Sequence, residues 1–352
     1  MNILAIESSC DETAAAVISD GKRIISSVVA SSHEMHEKYG GIVPEVAARM
    51  QLASIIPTIT ESMAPLGKST ESLLTKITKY IDVIAVTVGP GLIGSLLVGV
   101  ETAKTITMAT GKPIVPVNHV LAHMYANFVG NKNPKFPAIS LVVSGGHTEL
   151  YLMKSKKELI WLGGTIDDAA GECFDKTARL LGFGHGGGLA IQEAANQITV
   201  TKTPFTNVLP RPMLNKDNLH NFSFSGLKTA IMREVNTMQQ AGKLTEKTVS
   251  ELSYEVQETI TDVLVKKTLR AAALYETSSI LLSGGVSANI RLREKFAQNI
   301  EKDNLPYTLY APPVPLCTDN AVYIGSYAFF RGETSDWKNV NAFPDLSVEV
   351  RS

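Results

Sequence analysis

An apolar run followed by a tight hairpin opens the chain, and this feature restricts the available folds more than any other. Residues 2–7 are apolar up to Glu7, and residues 13–19 and 23–30 are rich in β-branched and small side chains. Asp20-Gly21 separates the last two segments, and this dipeptide favours a two-residue hairpin turn. The chain is therefore predicted to begin with antiparallel strands and not with a βαβ unit.

Farther along the chain, buried-strand patterns alternate with helical periodicity. Further strands are predicted at residues 81–88, 113–117, 137–143, 148–153 and 279–282. Helices are predicted at residues 45–63, 92–109, 167–181, 248–276, 287–299 and 319–331, the last of them amphipathic. Pro44 stands at a first helical position, Pro57 is expected to bend the same helix, and Asp167 with Asp168 is expected to begin the third helix. This alternation predicts an α/β fold, and the hairpins make its sheets mixed.

Composition narrows the class of protein. A length of 352 residues predicts about two domains, and a formal net charge of −1 excludes a general attraction to nucleic acid or anionic lipid. The three cysteines form no C-x-x-C pair, and the N-terminus has no basic targeting segment. Residues 83–100 lack charges, but Gly89-Pro90-Gly91 interrupts them, so no membrane span is expected. These features predict a cytoplasmic protein in a reducing compartment.

Two segments repeat a strand followed by Ser-Gly-Gly: LVVSGGHTE at residues 141–149 and ILLSGGVSA at residues 280–288. Glycine pairs after buried strands let backbone N–H groups approach a phosphate, so the repeat is typical of two facing nucleotide loops. Asn289 would follow in the first turn of a helix and could reach a ribose or base. An ordinary strand–helix turn with an exposed asparagine is the alternative interpretation. No P-loop motif is present, and Gly89–Gly94 does not fit a dinucleotide-binding fingerprint.

His119 and His123 lie four residues apart on a predicted helix, so both rings share one face and could bind one metal ion. Buried structural or surface histidines are the alternative. A zinc peptidase of the His-Glu-x-x-His type would need glutamate where this chain has Val120, so that chemistry lacks its general base. Asp319 could supply a third ligand, or it could serve only as the N-cap of the last helix.

Nine motifs occur in an order that resembles one family. They are AIESSCDETAAAV, YGGIVPEVAAR, GPGLIGSLLVG, NHVLAHMYA, LVVSGGHTEL, IDDAAGECFDKTARLLG, FSFSGLKTA, LLSGGVSAN and CTDNAVYIG. The chain is similar over nearly its whole length to the tRNA N6-adenosine threonylcarbamoyltransferases, the TsaD group formerly called O-sialoglycoprotein endopeptidases. The form Ser144-Gly145-Gly146-His147 looks bacterial or mitochondrial, and the expected absence of a presequence favours the bacterial type. Leu189 stands where relatives commonly have proline.

The resemblance implies an actin-like, Hsp70-like ATPase fold of two related domains with mixed sheets around a cleft. It implies an N-terminal subdomain at residues 1–117 and a C-terminal subdomain at residues 118–325, with a loop-rich insertion near residues 199–224. A tail at residues 326–352 would pack back on the N-terminal subdomain.

The resemblance also implies a set of site residues. His119, His123 and Asp319 correspond to the ligands of one divalent metal ion, usually iron(II), with zinc as the alternative. Asp11 matches an acidic position near the phosphates. The substrate and nucleotide contacts would be Val142, Val143, Ser144, Gly145, Gly146, Asp175, Gly188 and Asn289.

The implied activity is transfer of a threonylcarbamoyl group from threonylcarbamoyl-AMP to the N6 amine of adenosine 37 in tRNAs that read codons beginning with A, with release of AMP. The implied partners are tRNA, a smaller TsaB-like paralogue and a TsaE-like ATPase. No association with a membrane is implied. No side chain is identified as the catalytic base. The competing classes are a glycoprotein metallopeptidase, an actin-like ATPase or kinase, and a non-catalytic paralogue, which would usually lack the metal ligands.

Overall fold

The computed structural model describes residues 1–32, 42–130, 132–184, 186–198, 209–214 and 219–350. The chain divides into two compact units, the first formed by Met1–Asn133 with Pro312–Val350 and the second by Pro134–Ala311. The expected C-terminal subdomain began at residue 118 and ended at residue 325. In the structure, residues 118–133 and 312–325 belong to the first unit instead. Much of the expected insertion at residues 199–224, namely 199–208 and 215–218, lies outside the described residues.

The described strands are, in chain order, β1 (Asn2–Glu7), β2 (Glu12–Ser19), β3 (Arg23–Ser31), β4 (Val83–Gly89), β5 (Ile114–Asn118), β6 (Ala138–Val143), β7 (Thr148–Met153), β8 (Leu159–Gly164), β9 (Ser279–Ser283) and β10 (Thr308–Tyr310). The described α-helices are α1 (Pro44–Ser62), α2 (Leu73–Tyr80), α3 (Ile93–Thr110), α4 (His119–His123), α5 (Ala170–Leu180), α6 (Gly187–Asn196), α7 (Ser225–Gln240), α8 (Glu246–Leu274), α9 (Ile290–Lys302) and α10 (Ala321–Phe330). A 3-10 turn at Met124–Phe128 continues α4. Sequence patterns did not predict α2, α6, α7, β8 or β10.

Both units contain a five-stranded mixed sheet with the same topology. The first sheet has the order β3-β2-β1-β4-β5, and the second, taken from its opposite edge, has the order β8-β7-β6-β9-β10. In each sheet the first two strand pairs are antiparallel and the last two are parallel. The expected pair of related units with mixed sheets is therefore confirmed.

The predicted opening hairpin is present. Asp20 and Gly21 both have positive φ angles, 52° and 64°, which is the backbone geometry of the tight turn that suits the twist of the flanking strands. Pro44 begins α1, as predicted, and Pro57 lies inside it. These features depend on local backbone restrictions, and they follow the sequence closely.

The prediction that the last helix is amphipathic is wrong. α10 begins at Ala321, and residues 321–328 are all buried. One side of the helix contacts the first sheet, since a Cβ on Gly325 would lie 2.4 Å from Cγ2 of Ile18. The Ser326 hydroxyl lies within hydrogen-bonding distance of the carbonyl oxygens of Gly21 and Tyr125, at 2.8 Å and 3.1 Å. The helix is apolar all round because it is enclosed within the first unit.

The start of α5 also differs from the prediction. The helix begins at Ala170, and Asp167 binds a different segment, accepting hydrogen bonds from the hydroxyls of Ser223 and Ser225 and from the backbone N–H groups of Phe224 and Ser225. Asp168 forms an ion pair with Lys176 at 2.7 Å. Asp167 therefore caps the start of α7, which is distant in sequence, instead of its own helix.

A pH dependence follows from this remote cap. Burial raises the pKa of Asp167, but the hydrogen bonds from Ser223, Phe224 and Ser225 outweigh it and lower the pKa. Because the pKa of Asp167 is lower in the folded state than in the unfolded state, the ionised carboxylate stabilises the fold at pH values above the unfolded-state pKa of about 3.9. This stability is lost as the pH falls through the folded-state pKa. We expect Asp167→Asn to reduce the free energy of unfolding at pH 7 by about 0.5–2 kcal/mol, with a smaller difference from wild type below about pH 4. Urea unfolding measured from pH 7 to below about pH 4 tests this prediction, and Asp345→Asn, which changes an exposed aspartate, is the control. A difference in the free energy of unfolding between wild type and Asp167→Asn that stays constant with pH would contradict it.

Among the helices that the structure describes, none combines the length and apolar character needed to cross a lipid bilayer.

Candidate metal centre and substrate loops

Two histidines and one aspartate converge in the first unit. His119 and His123 lie on α4, whose first turn is capped by the Asn118 side chain accepting from the Leu121 N–H. Oδ1 of Asp319 lies 3.7 Å from Nε2 of His119 and 3.5 Å from Nε2 of His123. One ligand atom from each of the three residues lies within 4.8 Å of the other two.

Asp319 is not the N-cap of α10, so that interpretation is wrong. The cap is Asn320, whose Oδ1 accepts a hydrogen bond from the Val322 N–H at 3.0 Å. The Asp319 carboxylate is therefore not used by the helix end. Its side chain is 24% exposed, whereas that of His123 is 1% exposed, so the group is accessible from the aspartate side.

The spacing fits a bound divalent ion. Two ligand atoms that each lie about 2.1 Å from one ion at a tetrahedral angle are about 3.4 Å apart. The two observed Nε2–Oδ1 distances, 3.5 Å and 3.7 Å, are close to that value and too long for strong hydrogen bonds. Imidazole nitrogen with carboxylate oxygen is a donor set that suits iron and zinc.

Further carboxylates surround this group. Burial raises the pKa of Glu12 to about 10, and a hydrogen bond with Asp11 and the charge of Asp319 add to the effect. Burial also raises the pKa of Asp319; nearby His119 opposes this rise, whereas Glu7 and Asp11 add to it. Negative charge is therefore crowded at this point, and a bound cation would relieve the repulsion.

The pKa of His119 is raised at this site. Burial lowers its pKa, but the charges of Glu7 and Asp319 outweigh burial and raise the pKa to about 9. A metal ion binding to Nε2 at neutral pH must displace a proton, because only the unprotonated nitrogen is a ligand.

Sequence reasoning missed two residues of this centre. Glu7 is fully buried, and its Oε2 lies 3.0 Å from Nδ1 of His119. The Tyr323 hydroxyl donates to Oδ1 of Asp319 at 3.4 Å, and its ring centroid lies 4.4 Å from that of His123. A carboxylate at the end of an otherwise apolar strand was the signal that could have identified Glu7. Tyr323 lies four residues after Asp319, and in the helix predicted over residues 319–331 this spacing would bring the two side chains together. In the structure the helix begins only at Ala321.

The two Ser-Gly-Gly segments do not face one another from separate domains. Both follow strands of the second sheet, and β6 and β9 are direct parallel neighbours there. Gly284 has φ +83°, and a Cβ at that position would lie 2.3 Å from the carbonyl oxygen of Val143. The loops are side by side because parallel neighbouring strands end at the same edge of a sheet.

Contacts within the second unit connect the other expected substrate residues to this edge. The Gly171 N–H donates to the Ser144 carbonyl at 3.2 Å, which joins α5 to the first loop. A Cβ on Gly187 would lie 2.3 Å from Oδ1 of Asp175, so Gly187 and the adjacent Gly188 begin α6 against α5. Gln192 of α6 in turn accepts from the Ile290 N–H at 2.8 Å. These contacts connect the loop after β6 with α5, α5 with the start of α6, and α6 with the start of α9 beside Asn289.

The Asn289 amide is engaged within the protein. Its Oδ1 accepts from the Leu292 N–H at 2.9 Å, and its Nδ2 donates to Oε1 of Gln257 at 3.0 Å. The side chain is buried, so it is neither the exposed asparagine of an ordinary turn nor available to a ribose without breaking these bonds. By contrast, a Cβ on Gly145, Gly146 or Gly188 would meet no heavy atom of the described residues within 4 Å. Space next to the backbone is available at these three glycines.

Similarity to solved structures identifies the fold class. HypF in its phosphate- and nucleotide-bound form is 11% identical and gives a TM-score of 0.60 over 93% of this chain and 46% of its own. Component A of the Acidaminococcus fermentans (R)-2-hydroxyglutaryl-CoA dehydratase is 13% identical, with a TM-score of 0.53 over 94% of this chain and 96% of its own. The expected actin-like α/β fold is confirmed.

Sequence similarity then identifies the family. A family model described as "TsaD: tRNA N6-adenosine threonylcarbamoyltransferase" matches residues 23–326. Proteins of that name from Moorella thermoacetica and Dehalococcoides mccartyi strain CBDB1 are 43% and 44% identical to this chain, covering 99% of it and 97% and 99% of their own lengths. A relative from Listeria monocytogenes serotype 4b is 44% identical over 99% of this chain and 96% of its own. The chain belongs to the tRNA N6-adenosine threonylcarbamoyltransferase family, a family of acyltransferases, which confirms the resemblance drawn from the nine motifs.

Proposed function

We propose that this chain transfers a threonylcarbamoyl group to the N6 amine of adenosine 37 in tRNA, and that His119, His123 and Asp319 hold one divalent metal ion for this reaction. Family membership over nearly the full chain supports the activity. The observation that carries the metal assignment is the group of three ligand atoms within 4.8 Å of one another. Iron(II) is the proposed ion, and zinc is the alternative with the same donor set.

The proposed donor is threonylcarbamoyl-AMP, a mixed anhydride that is already activated. The N6 nitrogen attacks the carbamoyl carbon, the bond from that carbon to the phosphate oxygen breaks, and AMP leaves with the electron pair of that bond. The amine loses one proton as the new bond forms, this proton is released to the medium together with AMP, and no side chain is assigned as its first acceptor. A bound divalent ion would supply Lewis-acid polarisation and a fixed point of attachment for the threonyl part.

In this proposal the chain's own residues mainly position the adenylate and exclude water. Val142, Val143, Ser144, Gly145 and Gly146 contact the adenylate through the backbone, since N–H groups of Gly145 and Gly146 can approach a phosphate without a side chain in the way. Exclusion of water matters because hydrolysis of the anhydride would waste the donor.

Three further residues complete the proposed substrate contacts. Gly188, at the start of α6, offers open space beside its backbone, and Asp175 lies against the preceding Gly187. Asn289 contributes indirectly: as the cap of α9 and the partner of Gln257, it holds the second Ser-Gly-Gly loop in place.

We propose that the chain acts with tRNA, a smaller TsaB-like paralogue and a TsaE-like ATPase in the cytoplasm. A net charge of −1 gives little attraction to phosphate, so productive tRNA binding requires the partners. None of the three cysteines forms a disulfide bond, which agrees with a reducing compartment.

The alternative classes have less support. A zinc peptidase of the His-Glu-x-x-His type has its general base directly after the first histidine, yet Val120 occupies that position and is fully buried. A sugar kinase of the same fold has no need of the histidine pair. A non-catalytic paralogue would usually lack all three ligands, which this chain has.

A transfer assay tests the proposed function. We expect the chain, combined with its paralogue and ATPase, to convert threonylcarbamoyl-AMP bearing labelled threonine into labelled tRNA, and nuclease digestion should place the label on adenosine 37. A matched tRNA with guanosine at position 37 serves as the control and should remain unlabelled. Absence of transfer by folded, metal-loaded protein would contradict the proposal, as would metal-dependent cleavage of a glycoprotein.

A further inference from the structure

Glu7 is a buried carboxylate at the end of the first strand, and it contacts a proposed metal ligand from the side away from the metal. It is fully buried, and its Oε2 lies 3.0 Å from Nδ1 of His119. Nε2 of the same ring faces Asp319 at 3.7 Å. Nδ1 of His119 thus faces the Glu7 carboxylate and, at 3.2 Å, the Ser9 hydroxyl, whereas Nε2 faces the proposed metal position.

The first sheet and its loops hold this carboxylate in one orientation. The Ser9 N–H donates to Oε1 of Glu7 at 2.6 Å, and the Thr87 hydroxyl donates to Oε2. Thr87 lies on β4, the parallel neighbour of β1, and the preceding residues Ile6 and Val86 are paired. Pairing of β1 with β4 therefore fixes the position of Thr87, and the Thr87 hydroxyl anchors the Glu7 carboxylate by its hydrogen bond.

We propose that Glu7 is a positioning residue that holds the His119 ring with its Nδ1–H toward the Glu7 carboxylate, so that Nε2 faces Asp319 and is the nitrogen that a metal ion would bind. A carboxylate oxygen next to Nδ1 accepts a hydrogen bond, which keeps the proton on Nδ1 and leaves Nε2 as the ligand atom. The negative charge of Glu7 also makes the imidazole a stronger electron donor to a cation. This inference rests on the proposed metal function.

Glu7→Gln and Thr87→Val test the inference through metal affinity, measured with cobalt(II) and zinc(II) by competition with a chelator. We expect Glu7→Gln to weaken binding by about 10–100-fold, the usual effect of removing a carboxylate behind a histidine ligand, and to alter the cobalt absorption spectrum. Thr87→Val keeps Glu7 but removes its anchor, so a smaller loss in the same direction is expected. Thr107→Val is the matched control, since this buried hydroxyl has no hydrogen-bond partner among the described residues and its removal should leave affinity unchanged.

Proton NMR of the metal-free protein separates this inference from the metal function. We expect a strongly downfield Nδ1 proton of His119 in the wild type that shifts upfield in Glu7→Gln and is absent from His119→Gln. If wild type shows this proton but binds no metal, the metal function fails while the orientation by Glu7 stands. If Glu7→Gln remains folded and binds metal as tightly as wild type with the same cobalt spectrum, the positioning role is overturned and the metal function is unaffected.

Discussion

Asp319→Ala is expected to abolish stoichiometric metal binding and threonylcarbamoyl transfer while the chain stays folded. Oδ1 of Asp319 lies 3.5 Å from Nε2 of His123 and 3.7 Å from Nε2 of His119. Its removal leaves only His119 and His123 among the three identified ligands. The loss of metal affinity should exceed the roughly 10–100-fold effect that is typical when a group merely supporting a ligand is changed.

The fold should tolerate this change. Burial raises the pKa of Asp319, so the folded metal-free protein disfavours the charged carboxylate relative to the unfolded chain. Removing the carboxylate relieves this unfavourable charge but also takes a favourable partner from His119, so the melting temperature of the metal-free protein should change little. Elemental analysis, the transfer assay and thermal unfolding measure the three quantities. Asp345→Ala, which removes an exposed carboxylate from the same unit, is the control; transfer at the wild-type rate by Asp319→Ala would refute the metal assignment.

Gly284→Ala should destabilise the second unit strongly and impair transfer. Gly284 has φ 83° and ψ 163°, a backbone region that is essentially restricted to glycine, and leaving or forcing it costs about 1–3 kcal/mol. The new Cβ would also lie 2.3 Å from the Val143 carbonyl oxygen, so the strand ends must separate. Overpacking of this kind adds about 1–3 kcal/mol, for a total of about 2–6 kcal/mol.

Gly285→Ala provides the matched control for this prediction. A Cβ on Gly285 meets no described heavy atom within 4 Å, so the free energy of unfolding should change little. Urea unfolding compares the two variants, and the transfer assay reports whether displacement of Val143 and its loop affects the reaction. Equal stabilities for the two alanine variants would show that the close approach of the loops does not matter.

Local sequence signals were sufficient where the backbone itself is restricted. The Asp20-Gly21 turn, the helix start at Pro44 and the order of most strands and helices follow from φ preferences and side-chain periodicity within a few residues. The spacing of His119 and His123 likewise predicts that both rings lie on one helical face. For these features a single sequence contains the necessary information, because the interacting groups are neighbours in the chain.

Predictions failed where the outcome depends on a partner that is distant in sequence. Asp167 looked like a helix start but caps α7, and α10 looked amphipathic but is enclosed on all sides. The repeated Ser-Gly-Gly segments looked like facing loops, whereas pairing of β6 with β9 places them at one sheet edge.

The candidate metal centre divides in the same way. The sequence alone identified the histidine pair and offered Asp319 as a possible third ligand, and the motifs of the family implied the same three ligands. Only the tertiary structure revealed Glu7, whose carboxylate meets a histidine 112 residues later. Such contacts are decided by strand pairing, by the packing of α10 and by hydrogen bonds between distant segments. A local sequence pattern does not predict them, because each depends on which surfaces the folded chain brings together.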